Sequence, residues 1–163
     1  MRWPLRVLVV LGEGGHSKEC LRLVELMGTD DYRYSYLLVE EDSVTASKLR
    51  SPGPVYRVRR PRWKEHRLVA DAARFPVCAW QVATALLRAR PDVVVTTGPS
   101  VALPVCALAR LRGARIVFVE TGSRIRSLSP TGRVMRHLAH LYFVQWEELL
   151  PAAPGAVFAG RLF

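Results

Sequence analysis

The sequence contains no asparagine and few cysteines, and its basic residues far outnumber its acidic ones. Without asparagine the chain has no N-glycosylation sequon. Its three cysteines, Cys20, Cys78 and Cys106, form no C-x-x-C pair, so the pattern indicates neither a disulfide framework nor a zinc knuckle and predicts buried thiols. The chain has 163 residues, of which 50% are hydrophobic, so it is long enough for one domain with its own core.

The sequence also lacks an apolar run long enough to cross a bilayer. The longest uncharged stretch that has a basic residue at both ends covers 75–87, which is 13 residues, whereas a spanning helix needs about 20. The N-terminus enters an apolar run at Leu5 without the spacing of a signal peptide. We therefore expect a cytosolic chain that does not span the membrane.

The formal net charge of +10 is concentrated in two blocks, 55–90 and 105–140. Such charge suits nucleic acid, an anionic membrane or a pyrophosphate ligand. No RNP, KH or helix-turn-helix signature accompanies the arginines between Arg57 and Arg62 and the adjacent Trp63. We therefore expect a solvated or membrane-facing basic patch and no nucleic-acid partner.

Segment 67–90 is apolar and has arginines at both ends, Arg67 and Arg74 before it and Arg88 and Arg90 after it. Arginine-flanked apolar helices of this length can lie in the membrane interface while their cations reach the headgroups. The alternative is a crossover helix that is buried against a sheet. The sequence leaves both interpretations open.

Short apolar strands alternate with helical patterns along the whole chain. The strands are predicted at 5–11, 34–39, 54–58, 92–96, 115–119, 141–144 and 156–159. Helices are predicted from about His16 and through about Leu111, with short glycine-containing loops between elements. This alternation predicts an α/β fold with a doubly wound parallel sheet of six or seven strands in a single domain over 1–163.

The loop after the first strand, residues 12–16, is the strongest candidate for a binding site. In open α/β sheets, ligands bind beyond the carboxyl ends of the strands. Gly12, Gly14 and Gly15 allow backbone N–H groups to approach an anion at a helix N-terminus, and His16 adds an imidazole that is either a general base or a cap. Ser17 stands where the last glycine of G-x-G-x-x-G would be, which disfavours dinucleotide binding.

Two later loops carry further candidates. Thr97, Gly98 and Ser100 offer hydroxyls and a helix N-terminus that suit phosphate, or Ser100 simply caps its own helix. A nucleophile elbow would require glycine at Ala102. The loop after the fifth strand combines a carboxylate with arginines, either as a local ion pair or as a charged cleft, and its candidate residues are Glu120, Ser123, Arg124 and Arg126.

Two other site types are disfavoured by spacing. His137 and His140, three residues apart on a predicted helix, would suit a metal, but no carboxylate is near them in sequence, and we expect no metal site. A nucleotide-dependent enzyme such as an oxidoreductase would use Glu40 or Glu41 on a ribose. Glu40 lies 28 residues beyond Gly12, where roughly 20 is usual.

Four segments taken together resemble one known family, over essentially the whole chain from Leu5 to about residue 162. The segments are Gly14-Gly15-His16, Thr97-Gly98-Pro99, Phe118-Val119-Glu120 and Phe143-Val144-Gln145-Trp146-Glu147-Glu148-Leu149. The family is the PssD type of polysaccharide-biosynthesis protein, homologous to the membrane-anchor subunit of the eukaryotic UDP-N-acetylglucosamine transferase that makes dolichol-linked chitobiose.

The resemblance implies the N-terminal, acceptor-side Rossmann-like half of a split, MurG-like GT-B glycosyltransferase. A separate subunit would bind the UDP-sugar donor, and this chain would hold no cofactor tightly. The glycines with Thr97, Gly98 and Ser100 would bind the diphosphate of a polyprenyl-linked acceptor, with His16 as candidate base. The partner interface would include Gln145, Trp146, Glu147 and Glu148.

Two features depart from the family pattern. Glu13 stands where the family commonly has a small residue, and the N-terminal transmembrane helix of the eukaryotic relatives is absent. The sequence ends at 160–163, about where a fused enzyme would continue into its second domain. The leading hypothesis is therefore a peripheral subunit on the cytoplasmic face of the membrane, in capsule, exopolysaccharide or lipid-linked oligosaccharide synthesis, inactive alone. The alternative is a docking module without catalytic residues.

Overall fold

The computed structural model describes residues 3–12, 14–60 and 68–162, and the side chains of all of these except 68–75. Its strands are β1 (Leu5–Val10), β2 (Tyr32–Val39), β3 (Val55–Val58), β4 (Val93–Thr96), β5 (Arg115–Val119), β6 (Leu141–Val144) and β7 (Val157–Phe158). They form one parallel sheet in the order β3-β2-β1-β4-β5-β6-β7. The predicted doubly wound sheet is confirmed.

In the described part of the chain, four α-helices and two short 3-10 helices connect the strands. The α-helices are α1 (Gly15–Met27), α2 (Leu68–Ala89), α3 (Ala102–Leu111) and α4 (Pro130–Leu138), and the 3-10 turns are Thr45–Lys48 and Glu147–Ala152. Helix α2 crosses from β3 to β4 over 22 residues with Pro76 inside it.

The sheet has a hydrophobic core on each face, because successive side chains of a strand point to opposite sides. On one face, Leu8 and Val10 of β1 pack in a cluster with α2, α3 and α4. On the other face, Val7, Val9 and Leu11 pack with α1. The three cysteines are buried and unpaired as predicted, and burial raises the pKa of the Cys106 thiol to about 12.

The second half of α2 belongs to the core, whereas part of its middle faces outward. Cys78, Val82 and Leu86 are buried, while Trp80 is 70% exposed and Val77, three residues before it, is also exposed. None of the helices that the structure describes is long and apolar enough to span a membrane. The predicted basic patch at Arg62 and Trp63, and Arg67 at the start of segment 67–90, lie outside the described residues.

Helix α4 ends earlier than the sequence suggested. It stops at Leu138, and the chain then turns into β6, with the backbone N–H of His140 donating to the Ile116 carbonyl. His140 therefore does not share a helix face with His137. Its Nδ1 accepts a hydrogen bond from the Ile116 N–H at 3.0 Å, which already occupies one possible metal-binding nitrogen.

Candidate functional site

Two of the predicted loops meet where the strand order reverses, between β1 and β4. From β1 the chain proceeds through α1 to β2 on one side, and from β4 through α3 to β5 on the other. The first loop contains Gly12 and Gly14, and the second contains Thr97 and Gly98. Such a reversal leaves a crevice at the carboxyl edge, which is the usual ligand position in open α/β sheets.

His16 and Thr97 hold the two loops together through a pair of hydrogen bonds. His16 Nδ1 lies 2.9 Å from the Thr97 carbonyl oxygen, and the Thr97 hydroxyl donates to the His16 carbonyl at 2.8 Å. Since a carbonyl oxygen only accepts, Nδ1 donates this hydrogen bond, and Nε2 is the other ring nitrogen. The imidazole is half-buried, and this hydrogen bond leaves its Nε2 unused.

Gly12 allows the close approach of these loops. A Cβ at Gly12 would lie 2.5 Å from Pro99 Cβ, so a larger residue would push the loops apart. The Gly12 carbonyl accepts a hydrogen bond from the Ser17 hydroxyl, and Thr45 donates to Ser17 Oγ at 3.3 Å. Gly12 and Ser17 are therefore buried parts of the loop framework.

Gly14 and Gly15 face open space at the N-terminus of α1. Gly14 has φ +68°, a conformation that favours glycine, and a Cβ on Gly15 would meet nothing within 4 Å. Helix α1 has no side-chain cap and no acidic residue in its first turn. Its first N–H groups are thus available to an anion. Glu13, between these glycines and Gly12, lies outside the described residues.

The second loop divides into buried and exposed residues. Thr97 and Gly98 are buried, and a Cβ on Gly98 would lie 3.1 Å from the Phe118 ring. Ser100 is exposed, and α3 begins after Val101 without a side-chain cap. The structure therefore does not support the alternative in which Ser100 caps its own helix.

Glu120, directly after β5, is completely buried, and its carboxylate accepts hydrogen bonds from uncharged groups. Its Oε2 accepts from the Tyr142 hydroxyl at 2.8 Å and from the Ser129 N–H at 3.3 Å, and its Oε1 accepts from the Thr121 N–H at 3.2 Å. Gly132 of α4 packs directly on the carboxylate, because a Cβ there would overlap Oε2. Ser129 caps α4 through its side chain.

The two arginines after Glu120 are exposed and do not neutralise it. Among the described residues no ion pair joins Glu120 to Arg124 or Arg126. The local ion pair considered from sequence is therefore replaced by hydrogen bonds and the N-terminus of α4. Ser123 is exposed and its Oγ lies 3.2 Å from Thr121 Oγ1.

The segment after β6 contains a buried glutamine that joins three parts of the chain. Gln145, 1% exposed, donates to the Glu120 carbonyl at 3.0 Å and accepts from the Leu162 N–H at 2.8 Å. Trp146 donates to the Gly122 carbonyl at 2.7 Å. Of the four residues predicted at a partner interface, Glu147 and Glu148 are exposed, Trp146 is half-buried and Gln145 is buried within the chain.

Glu19 is the one residue at this edge that the sequence reasoning missed. From α1 its Oε1 accepts from the Thr121 hydroxyl at 3.2 Å and from the Gly122 N–H at 3.0 Å. Its Oε2 is buried without a partner in the described part of the chain. The available signal was its position three residues after His16, which places both side chains on one helix face.

The residues considered for a ribose or a metal do not form such sites in the described part of the chain. The Glu40 carboxylate accepts from Gln81 at 3.0 Å and from Arg59 at 3.3 Å, which occupies the group expected on a ribose. No three His, Cys, Asp or Glu side chains cluster in a metal-binding arrangement among residues 3–12, 14–60 and 68–162.

Solved structures share this architecture. The chain resembles Acinetobacter baumannii MurG with a TM-score of 0.76 at 17% identity, covering 94% of this chain and 45% of that one. It also resembles a UDP-GlcNAc 2-epimerase from Neisseria meningitidis, with a TM-score of 0.71 at 13% identity, covering 96% and 47%. The chain thus spans less than half of either protein and has the fold of one half of a GT-B type structure.

Sequence comparison identifies nearer relatives. The "UDP-N-acetylglucosamine transferase subunit ALG14" of Mus musculus is 33% identical, covering 99% of this chain and 84% of that protein. The human subunit of the same name is 30% identical with the same coverage. The family model described as "Oligosaccharide biosynthesis protein Alg14 like" matches residues 7–162. The chain belongs to the Alg14 family.

Proposed function

We propose that this chain is the acceptor-binding, membrane-associating subunit of a two-component UDP-sugar glycosyltransferase in lipid-linked oligosaccharide synthesis. The observation that carries the proposal is the His16–Thr97 pair at the switch point of an Alg14-family fold. A separate subunit would bind the nucleotide sugar, which we take to be UDP-N-acetylglucosamine from the names of the relatives.

The chemistry assigned to His16 is removal of a proton from the acceptor hydroxyl. As Nε2 accepts that proton, the hydroxyl oxygen forms a bond to the anomeric carbon of the sugar. The bond from that carbon to UDP breaks, and UDP leaves with the electron pair. General-base assistance of this kind contributes typically 10²–10⁴-fold to a rate. Stabilisation of the departing UDP belongs to the partner.

The acceptor diphosphate would lie at the uncapped start of α1. The open space beside Gly15 and the first-turn N–H groups suit an anion there. Ser100 would add a hydroxyl from the neighbouring loop. Gly12, Thr97 and Gly98, which the sequence placed in direct contact with the ligand, support the proposal as framework that fixes the loops.

The exposed part of α2 supports membrane association. Gln81 of α2 contacts Glu40 at the end of β2, so this portion of α2 lies toward the carboxyl edge that holds the candidate site. Trp80 is adjacent and exposed, and an amphipathic indole is well suited to the membrane interface. A polyprenyl-linked acceptor would then enter from the membrane on that side.

An apolar strip on the sheet supports docking of a partner subunit. Leu141, Phe143 and Val157 point away from the core on the α2 face, because their neighbours Tyr142, Val144 and Phe158 pack in it. Leu141 is 51% and Val157 46% exposed. Leu141 pairs with Val117 and Phe143 with Val157 in register, so the strip is continuous across three strands. Exposed apolar strips of this kind often mark protein interfaces.

The decisive experiment is a transfer assay with labelled UDP-N-acetylglucosamine and a membrane extract as acceptor. It compares this chain, its candidate partner from the neighbouring gene, and both together. Product only from the pair is expected, and transfer by this chain alone would overturn the proposal. The matched variants are His16→Ala and His137→Ala, the second an exposed histidine on α4.

The rival proposal, a docking module without catalytic residues, predicts a different result. In that case His16→Ala would leave transfer unchanged, and the partner would keep its activity when tethered to membranes by other means. If His16 acts as base, transfer by the complex falls by roughly 10²–10⁴-fold while co-purification with the partner is unchanged. His137→Ala should match the unaltered complex.

A further inference from the structure

A cavity of about 500 Å³ lies at the amino-terminal edge of the sheet, opposite the candidate site. It is bounded by the C-terminal ends of α2 and α3 and by the starts of β4 and β5. Leu86 and Ala109 contribute apolar wall. Four arginines and one carboxylate supply the charge: Arg6, Arg90, Arg112, Arg115 and Asp92.

Among the described residues, the one carboxylate that lines this cavity, Asp92, is paired with one of the arginines. Arg6 donates from Nη2 to Asp92 Oδ1 at 2.8 Å and from Nε to Oδ2 at 3.0 Å. The Arg6 guanidinium, first through this hydrogen bonding, lowers the pKa of Asp92 to about 2. Asp92 is thus ionised and already paired at neutral pH.

The other three arginines are left with their charge uncompensated. In the part of the chain that the structure describes, no ion pair involves Arg90, Arg112 or Arg115. Of these three, Arg115 also acts on His140, whose pKa is lowered first by burial and then by the charges of Arg110 and Arg115. This edge of the sheet therefore has a positive potential.

One residue that lines the cavity, Arg90, also has an unusual backbone conformation. Arg90 follows the last turn of α2 with φ +43°, and it is the only non-glycine residue with positive φ in the described chain. Glycine is the usual residue at such a helix end, because a side chain is strained in this conformation. At this position the chain instead has an arginine, whose side chain lines the cavity.

We propose that this cavity is a second anion site, which binds a phosphate group carried either by a small soluble molecule or by an anionic lipid headgroup. Planar guanidinium groups bind phosphate oxygens through paired hydrogen bonds, and the apolar wall accommodates the group attached to the phosphate. Strand β4 separates this cavity from the candidate site by roughly 13 Å, at about 3.3 Å per residue over four residues. The ligand is therefore distinct from the acceptor diphosphate and independent of the proposed function.

The test uses the full chain and two probes. Binding of inorganic pyrophosphate is measured by calorimetry, and binding to vesicles of phosphatidylcholine with or without phosphatidic acid is measured by sedimentation. The double variant R90Q/R115Q removes two cavity charges. K48Q/R133Q removes two exposed charges elsewhere and is the matched control. Circular dichroism and thermal unfolding establish that both variants fold.

At least a tenfold loss of affinity for one probe is expected in R90Q/R115Q, with K48Q/R133Q near the unaltered chain. Loss confined to pyrophosphate identifies a soluble ligand, and loss confined to phosphatidic acid vesicles identifies a lipid headgroup. Equal losses in the two variants would show that only net charge matters and would overturn the proposal. So would binding that R90Q/R115Q leaves intact, since the candidate site alone would then account for it.

Discussion

The hydroxyl of Tyr142 donates a 2.8 Å hydrogen bond to the buried carboxylate of Glu120, linking β6 to the loop after β5. Both side chains lie inside the protein. Burial, followed by the Glu120 charge, raises the pKa of Tyr142 above its usual range. The Tyr142–Glu120 pair thereby fixes the polypeptide between Glu120 and the start of α4, directly beside the candidate site.

Tyr142→Phe should destabilise the protein by about 1–3 kcal/mol, because a buried carboxylate oxygen loses its strongest donor. Urea unfolding at neutral pH measures the effect. Tyr56→Phe is the control, since Tyr56 is only partly buried. Equal stability of the two variants would contradict the role assigned to the Tyr142 hydroxyl. Above pH of about 10 the difference in unfolding free energy between Tyr142→Phe and the unaltered protein should become smaller. In that range Tyr142 ionises in the unfolded chain but stays protonated in the folded one, which favours unfolding of the unaltered protein.

Asp92→Asn should lower the free energy of unfolding at neutral pH. It should also make that free energy depend less on pH in the acid range. The pKa of Asp92 is about 2 in the folded chain, below its ordinary 3.8. Its contribution is therefore present above pH of about 4 and is lost as pH falls toward 2. Because Arg6 is partly exposed, solvent screening reduces the effect to about 1 kcal/mol. Thermal unfolding from pH 2 to 7, with exposed Asp30→Asn as control, would detect it.

Glu19→Ala should loosen the loop that follows β5. Two hydrogen bonds to Thr121 and Gly122 are lost, and the expected cost is about 1–2 kcal/mol with lower transfer by the complex. Glu19→Gln keeps an oxygen that accepts both bonds and should restore most of the stability and kcat. The opposite result would be a Glu19→Gln variant that has normal stability but the same low transfer rate as Glu19→Ala. In that case the charge of the Glu19 carboxylate would matter more than its hydrogen bonds to the loop.

Leu141→Glu should weaken binding of the partner subunit by about tenfold or more, which corresponds to about 1.4 kcal/mol. A charge there would have to be buried in the apolar strip of β5, β6 and β7. Leu111→Glu is the matched control, since Leu111 is 83% exposed at the end of α3. Affinity is measured with purified subunits by calorimetry. A similar affinity for both variants would place the partner elsewhere.

Trp80→Ala should reduce sedimentation with vesicles, because the exposed indole is removed from α2 without disturbing the buried Val82 and Leu86. A several-fold decrease in the bound fraction is expected. The comparison is Trp3→Ala, an exposed tryptophan near the start of the chain. If Trp80→Ala bound vesicles as well as the unaltered chain, the proposed contact of α2 with the membrane would be contradicted.

The parallel sheet was predictable because its strands are short and apolar, and three of them, β1, β4 and β5, end at glycine-containing loops. Strand β6 was predicted at its observed bounds. The end of α4 was not, since local helical spacing continues to His140 while a backbone hydrogen bond to Ile116 draws the chain into β6. Competition of that kind depends on residues distant in sequence.

The candidate loops were predictable because they follow apolar strands and contain glycine. The separate role of each residue within them was not predictable. Glycine in a sequence does not reveal whether it lies beside open space, as Gly15 does, or makes room for another loop, as Gly12 does. The burial of Gln145 and the contacts of Glu19 likewise depend on elements brought together only by the fold. Roles assigned through a family motif therefore require the geometry of this chain.

The close packing of Gly12 on Pro99 also has a thermodynamic consequence. Together with the reciprocal His16–Thr97 hydrogen bonds, it holds Gly12 and His16 against the second loop before any ligand arrives. The conformational entropy of these residues is therefore lost on folding, and little of it remains to be lost on association. A ligand of this edge should bind with a small entropic penalty from the protein, so that its affinity reflects mainly the contacts it makes.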